Sequence, residues 1–103
     1  MNELGRFTEP SIMILVSLAA SDKHGYAMIE DIERITGERL GPGTLYGALA
    51  RLEDQGLIEA LPKQARRKPY RLTSKGRTAL GAYLQGLENV SQVGLRRLGA
   101  GPA

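Results

Sequence analysis

Apolar residues recur at helical spacing in four stretches of this chain, and a short segment between the third and fourth breaks that period. In the first stretch Ile12, Met13, Ile14, Leu15, Val16 and Leu18 point in nearly every direction, which predicts a helix to about Ala20 that is buried on more than one side. Thr8 is its expected cap, Glu9 suits the positive end of the helix and Pro10 the first turn. After the polar connection Ser21-Asp22-Lys23-His24-Gly25, a second helix is expected from Gly25 or Tyr26 to Thr36. Met28, Ile29, Ile32 and Ile35 form its inward stripe, Glu30, Asp31, Glu33 and Arg34 lie outside, and Gly37 ends it in the left-handed conformation. A third helix opens at Pro42, stops before Gly56, and turns Leu45, Ala48, Leu49 and Leu52 inward.

Leu57 to Leu61 and Pro69 to Thr73 read as two antiparallel strands joined by the basic tip Pro62-Lys63-Gln64-Ala65-Arg66-Arg67-Lys68. The last helix starts at Thr73 or Ser74 and carries Leu80, Tyr83, Leu87, Val90 and Leu98 near an a/d repeat, with Gly94 on an a position and Leu84 widening the stripe. Gly81, Gly86 and Gly94 each cost about 1 kcal/mol relative to alanine, so such a helix needs packing to hold it. The expected fold is mainly α with a small β-hairpin: a winged helix-turn-helix over residues 1–76, with 1–7 a loose arm, then a C-terminal dimerisation helix at 77–98 and a tail at 99–103. Ile12, Leu15, Val16, Leu80, Tyr83, Leu84, Leu87, Val90 and Leu98 are the expected dimer contacts, because so short a chain leaves little core of its own.

Composition narrows the function. The chain has 103 residues and no cysteine, which excludes disulfides and thiolate sites and fits a reducing cytoplasm. A single histidine leaves no histidine metal cage, and no cofactor is implied. Without a cysteine nucleophile, paired histidines or a phosphate-cradling glycine pattern followed by lysine, no enzyme is expected. No secretory signal stands out, and the apolar run Ile12 to Ala20, interrupted by Ser17, is too short to span a bilayer, so no membrane partner is expected.

The net charge is only +3, but Lys63, Arg66, Arg67, Lys68, Arg71, Lys75 and Arg77 hold half of the 14 basic residues, and no acid lies between Glu59 and Glu88. A concentrated patch on an otherwise acidic chain points to a localised anionic partner, double-stranded DNA. If a dimer neutralised about eight phosphates, log affinity against log salt would slope near −7. The third helix then reads as a recognition helix: Pro42 and Gly43 at its tip, Thr44, Gly47 and Arg51 on one line. Arg51 would pair with guanine, and Thr44 with a phosphate or a thymine methyl. The alternative is an ordinary helix with a polar outer face, and the basic tip is alternatively a solubilising loop. Tyr46 is open between a phosphate contact and packing against the second helix, and Tyr26 carries the same ambiguity. His24 reads as a polar linker or cap.

Several segments together resemble the PadR-like transcriptional regulators: His24-Gly25-Tyr26, Gly41-Pro42-Gly43-Thr44-Leu45-Tyr46, Leu52-Glu53 with Gly56-Leu57-Ile58, and Arg66-Arg67-Lys68 with Tyr70-Arg71-Leu72-Thr73 and Gly76. The length is similar to that of the short members, which have a single C-terminal helix. The resemblance implies a homodimeric winged helix that binds near-palindromic operators as a repressor, relieved by a small aromatic or hydrophobic effector. It also implies that the first and last helices make the dimer contact. Gly41 stands where members often carry Ser or Thr, Gly47 where they often carry proline, and Pro69 where the wing is frequently basic or aromatic. Two rival functions fit the same residues: a winged-helix protein-interaction module without operator binding, and a small-molecule binder or sequestering antitoxin.

Overall fold

A computed structural model describes residues 9–99. In chain order these form α1 (Pro10–Ala20), β1 (Lys23–His24), α2 (Gly25–Thr36), α3 (Pro42–Asp54), β2 (Ile58–Ala60), β3 (Pro69–Leu72) and α4 (Ser74–Arg97). The expected helices are all present. At the start of α1 the Glu9 carboxylate accepts from the Ile12 amide at 3.1 Å, so Glu9 is the cap; Thr8, the expected cap, lies outside the described residues, as do the arm at 1–7 and residues 100–103 of the tail.

One core gathers residues from every helix and from β2 and β3. Ile14, Leu15 and Leu18 of α1 meet Met28, Ile29 and Ile32 of α2 and Leu45, Ala48, Leu49 and Leu52 of α3, with Ile58, Tyr70, Leu72 and Leu80 closing the base. Ile12, Met13 and Val16 pack against this cluster only partly, which leaves the outer side of α1 open. Ile35 departs from the expected stripe and is 53% exposed. Thr36, four residues after Ile32, continues the buried line of α2, while Ile35 falls to its margin; the Thr36 hydroxyl donates back to the Ile32 carbonyl at 2.9 Å.

The sheet has three strands, not the expected two, in the order β1-β3-β2, all antiparallel. Lys23 pairs with Tyr70 and His24 with Pro69 on one side of β3, and Ile58, Glu59 and Ala60 pair with Leu72, Arg71 and Tyr70 on the other. Part of the segment read as a polar connection is therefore the outer strand. Pro69 opens the central strand, where its missing N–H is least costly, and its carbonyl accepts from the Leu61 amide.

Asp31 also leaves the solvated face expected for it. Ser17 is fully buried, and its hydroxyl donates to the Asp31 carboxylate at 2.7 Å. Lys23 Nζ donates to the Ser17 carbonyl at 2.6 Å and lies 3.9 Å from Asp31. The cluster ties the end of α1 to β1 and α2. The Ser17 hydrogen bond, helped by Lys23 and Arg34 against the cost of burial, holds the Asp31 carboxyl below the usual aspartate range.

The start of α4 is fastened to the end of α3. The Thr73 hydroxyl accepts from the Gly76 amide at 3.0 Å as helix cap and donates to the Gly56 carbonyl at 2.7 Å. Lys75 Nζ donates to the Gln55 carbonyl at 2.9 Å. Gly56 itself has φ +76°, the left-handed conformation that ends α3. Beyond Leu80, α4 leaves the body: over 24 residues it spans roughly 36 Å and gives the molecule a long dimension of 53 Å.

Candidate nucleic-acid interface

The N-terminus of α3 is open. Gly41 caps it without a side-chain bond, Pro42 follows, and Gly41, Pro42, Gly43 and Thr44 are all exposed. The amides of Gly43 and Thr44 are among those a helix start leaves without helical partners, which suits an anion. Thr44, Gly47 and Arg51 are exposed on the face opposite the buried Leu45, Ala48, Leu49 and Leu52, as the sequence predicts. A Cβ on Gly47 would meet only Arg51 Nη1, at 3.9 Å, so the Arg51 side chain lies back along the line that Gly47 leaves bare.

Both tyrosines are amphipathic here. Tyr46 is 54% exposed, yet its hydroxyl sits 2.7 Å from the place a Cβ on Gly25 would take. Packing against α2 therefore coexists with an outward face, and a Cβ at position 25 would press on the end of the ring. Tyr26 is 55% exposed and carries the Arg39 guanidinium over its ring, 5.8 Å from the centroid.

Strands β2 and β3 continue into a wing whose tip is a tight turn. The backbones of Gln64 and Arg67 exchange both hydrogen bonds, at 2.9 and 3.0 Å, around Ala65 and Arg66, and Ala65 takes φ +58°. Arg67 Nη1 reaches His24 Nε2 at 3.2 Å, while His24 Nδ1 accepts from the Ala27 amide at 3.4 Å and caps α2. The Lys68 ammonium lies over the Tyr70 ring at 5.5 Å. His24 is thus a cap, one of the two roles expected, and also a wing anchor. These contacts fold the wing toward the N-terminal ends of α2 and α3. Tyr26, Tyr46, Lys63, Arg66, Arg67 and Lys68 line an open notch of about 340 Å³ between them.

The basic run is not one surface. Arg71 pairs with Asp22 at 3.4 Å and with Glu59 at 3.7 Å and does not line the notch. Lys75 serves the α3–α4 junction. Only the four wing cations face the notch. Arg39, in the α2–α3 link, is a fifth basic residue beside it that sequence reasoning did not single out. Its signal was a cation just ahead of Gly41-Pro42 in a helix-turn-helix; its place over Tyr26 is tertiary.

The expected dimer contacts divide. Leu15 and Leu80 are 3% and 5% exposed inside the chain's own core, so they are not free to meet a second copy. Ile12 and Val16 are half-buried; Tyr83, Leu84, Leu87, Val90 and Leu98 are exposed, joined by Val93 and Leu95, which the stripe did not include. Among the described residues there is no group of three or more His, Asp or Glu that would hold a metal ion, and no helix long and apolar enough to cross a membrane.

An exposed helix start, a basic wing beside it and a three-stranded sheet behind define a winged helix-turn-helix regulator. Residues 14–82 match the model of the transcriptional regulator PadR-like family, and the chain belongs to that family. It is 35% identical over 82 residues to transcriptional regulator Rv3488 of Mycobacterium tuberculosis, covering 77% of this chain and 76% of that one. It is 45% identical over 75 residues to an uncharacterized 37.1 kDa protein in a Streptomyces fradiae transposon, a match that takes in 73% of this chain but only 22% of that protein. Among solved structures, a PadR family transcription regulator from Clostridium difficile superposes with a TM-score of 0.75 at 29% identity, over 86% of this chain and 96% of that one. The chain is a transcriptional regulator by family, as Rv3488 is by name.

Proposed function

We propose that the protein is a cytoplasmic homodimeric repressor that binds a near-palindromic operator in double-stranded DNA. The observation that carries this is the convergence of the outward faces of Tyr26 and Tyr46 with the wing cations Lys63, Arg66, Arg67 and Lys68 around one notch, while the start of α3, one turn before Tyr46, is open. Pro42, Gly43, Thr44, Gly47 and Arg51 of α3 enter the major groove, and the wing lies on the flanking backbone, where it positions more than it specifies. The partner copy covers the apolar side of α4 and the open side of α1, placing two α3 helices in successive grooves about 34 Å apart. Residues 9–76 then form the head and 77–98 most of the pairing helix. A small aromatic or hydrophobic effector, seated between α1 and α4, relieves binding by changing the angle between the heads.

The test is selection of duplexes from a random pool, followed by binding of the winners at stepped salt. Two-fold symmetric winners and a steep negative slope of log affinity against log salt support the reading. Indifference to every duplex in dilute buffer ends it. The effector is tested by titrating aromatic acids and hydrophobic amphiphiles against operator affinity; a set in which every tight binder leaves affinity unchanged removes that part alone.

A further inference from the structure

Arg39 is the one cation of the α2–α3 link, and its neighbours are unusual for a surface arginine. Its Nη1 donates to Glu33 Oε1 at 2.7 Å, and its guanidinium lies over the Tyr26 ring, 5.8 Å from the centroid. Glu33 and Tyr26 stand seven residues apart on the same outer face of α2, so the side chain is laid back along that helix. Tyr26 is also a wall of the basic notch. One face of its ring therefore belongs with the wing cations, and the ring carries Arg39 as well. The hydrogen bond it donates to Glu33, with help from the Tyr26 phenol, raises the Arg39 guanidinium above its already high range.

The ion pair is only half-shielded, with Arg39 and Glu33 side chains 49% and 44% exposed. Such pairs are weak, and a duplex phosphate, with several oxygens and its counterions to release, competes well for a guanidinium. The geometry points to Arg39 as a further DNA-backbone residue, held over Tyr26 by Glu33 in the free protein and transferred to a phosphate when DNA occupies the notch. Glu33 is then an internal competitor that lowers affinity for every duplex alike. This rests on the DNA-binding reading above.

The experiment measures affinity of the full chain for a mixed-sequence duplex at stepped salt, for wild type, Glu33→Gln, Arg39→Ala and the double variant. Both positions of change are surface side chains, and circular dichroism checks that each variant is folded. Glu33→Gln is expected to raise affinity about two- to fivefold, the worth of one exposed ion pair. Arg39→Ala lowers affinity and flattens the salt slope by about 0.9 per contact. In the Arg39→Ala background the gain from Glu33→Gln disappears. A gain that persists undiminished in the double variant would mean that Glu33 acts by general repulsion, and would overturn the exchange; so would an Arg39→Ala slope equal to wild type. Wild-type protein that binds no duplex overturns the parent reading instead, which keeps the two failures distinct.

Discussion

Gly76 lies directly beneath the carbonyl of Leu57, so close that a Cβ at position 76 would overlap that oxygen and press on Leu72 Cδ1 at 2.8 Å. This contact joins the first turn of α4 to the residue that enters β2, and it makes glycine obligatory on packing grounds although its φ is ordinary for a helix. Gly76→Ala is expected to destabilise the fold by about 1–3 kcal/mol, because backbone rather than a flexible side chain must give way. Gly81, one and a half turns later, meets open space. There alanine is expected to stabilise by about 1 kcal/mol, the difference in helix propensity. Thermal melts of the two variants should move in opposite directions.

The Ser17–Asp31–Lys23 cluster predicts a pH dependence. The folded-state pKa of Asp31 is lowered, so the folded protein holds this proton less tightly than the unfolded chain. The stability it contributes is present above the unfolded aspartate value, near 3.9, and is lost as pH falls through the lower folded value. Urea midpoints of wild type should drop more between neutral pH and about pH 3 than those of Asp31→Asn. Ser17→Ala, which strips a buried partner from the carboxylate, should cost about 1–3 kcal/mol at neutral pH.

The division of the basic run predicts unequal effects on DNA. Arg66→Ala combined with Arg67→Ala should weaken duplex binding and flatten the salt slope by about 0.9 for each phosphate contact removed. Arg71→Ala should change the slope less, because that guanidinium lies outside the notch, between Asp22 and Glu59. Affinity measured from low to moderate salt for both variants separates a wing that touches DNA from bulk positive charge.

Leucines 80 and 87 share one stripe but differ in burial, 5% against 53%. Leu87→Asp is expected to give a folded monomer in sedimentation equilibrium, with operator affinity reduced at least tenfold as paired heads are lost. Leu80→Asp should fail to fold, since it buries a charge in the core.

How far each feature was legible depended on how local its cause was. The four helices follow from apolar spacing and end signals such as Pro42 and Gly37, which act within a few residues. Strand β1 was not legible: Lys23 and His24 are polar, and their pairing is supplied by Pro69 and Tyr70, more than forty residues away. Ile35 fitted the stripe by composition, but only packing decides whether position 35 or 36 continues a buried line. Asp31 read as one of several surface acids until Ser17, fourteen residues earlier, met it across α1 and α2. The wing cations and the α3 line were legible as a set. That Arg71 lies between Asp22 and Glu59, and that Arg39 lies on Tyr26, are properties of neighbours brought together by folding.

The fastening of α4 through Thr73 and Gly76 to the turn that follows α3 makes the C-terminal helix a gauge rod. If two rods pair along their apolar sides, the phase between the two reading heads is set by the number of residues between Leu80 and the first intermolecular contact. One inserted residue there would swing a head by about 100° and shift it about 1.5 Å. The half-site spacing such a protein accepts is therefore written in the length of a helix that touches no base.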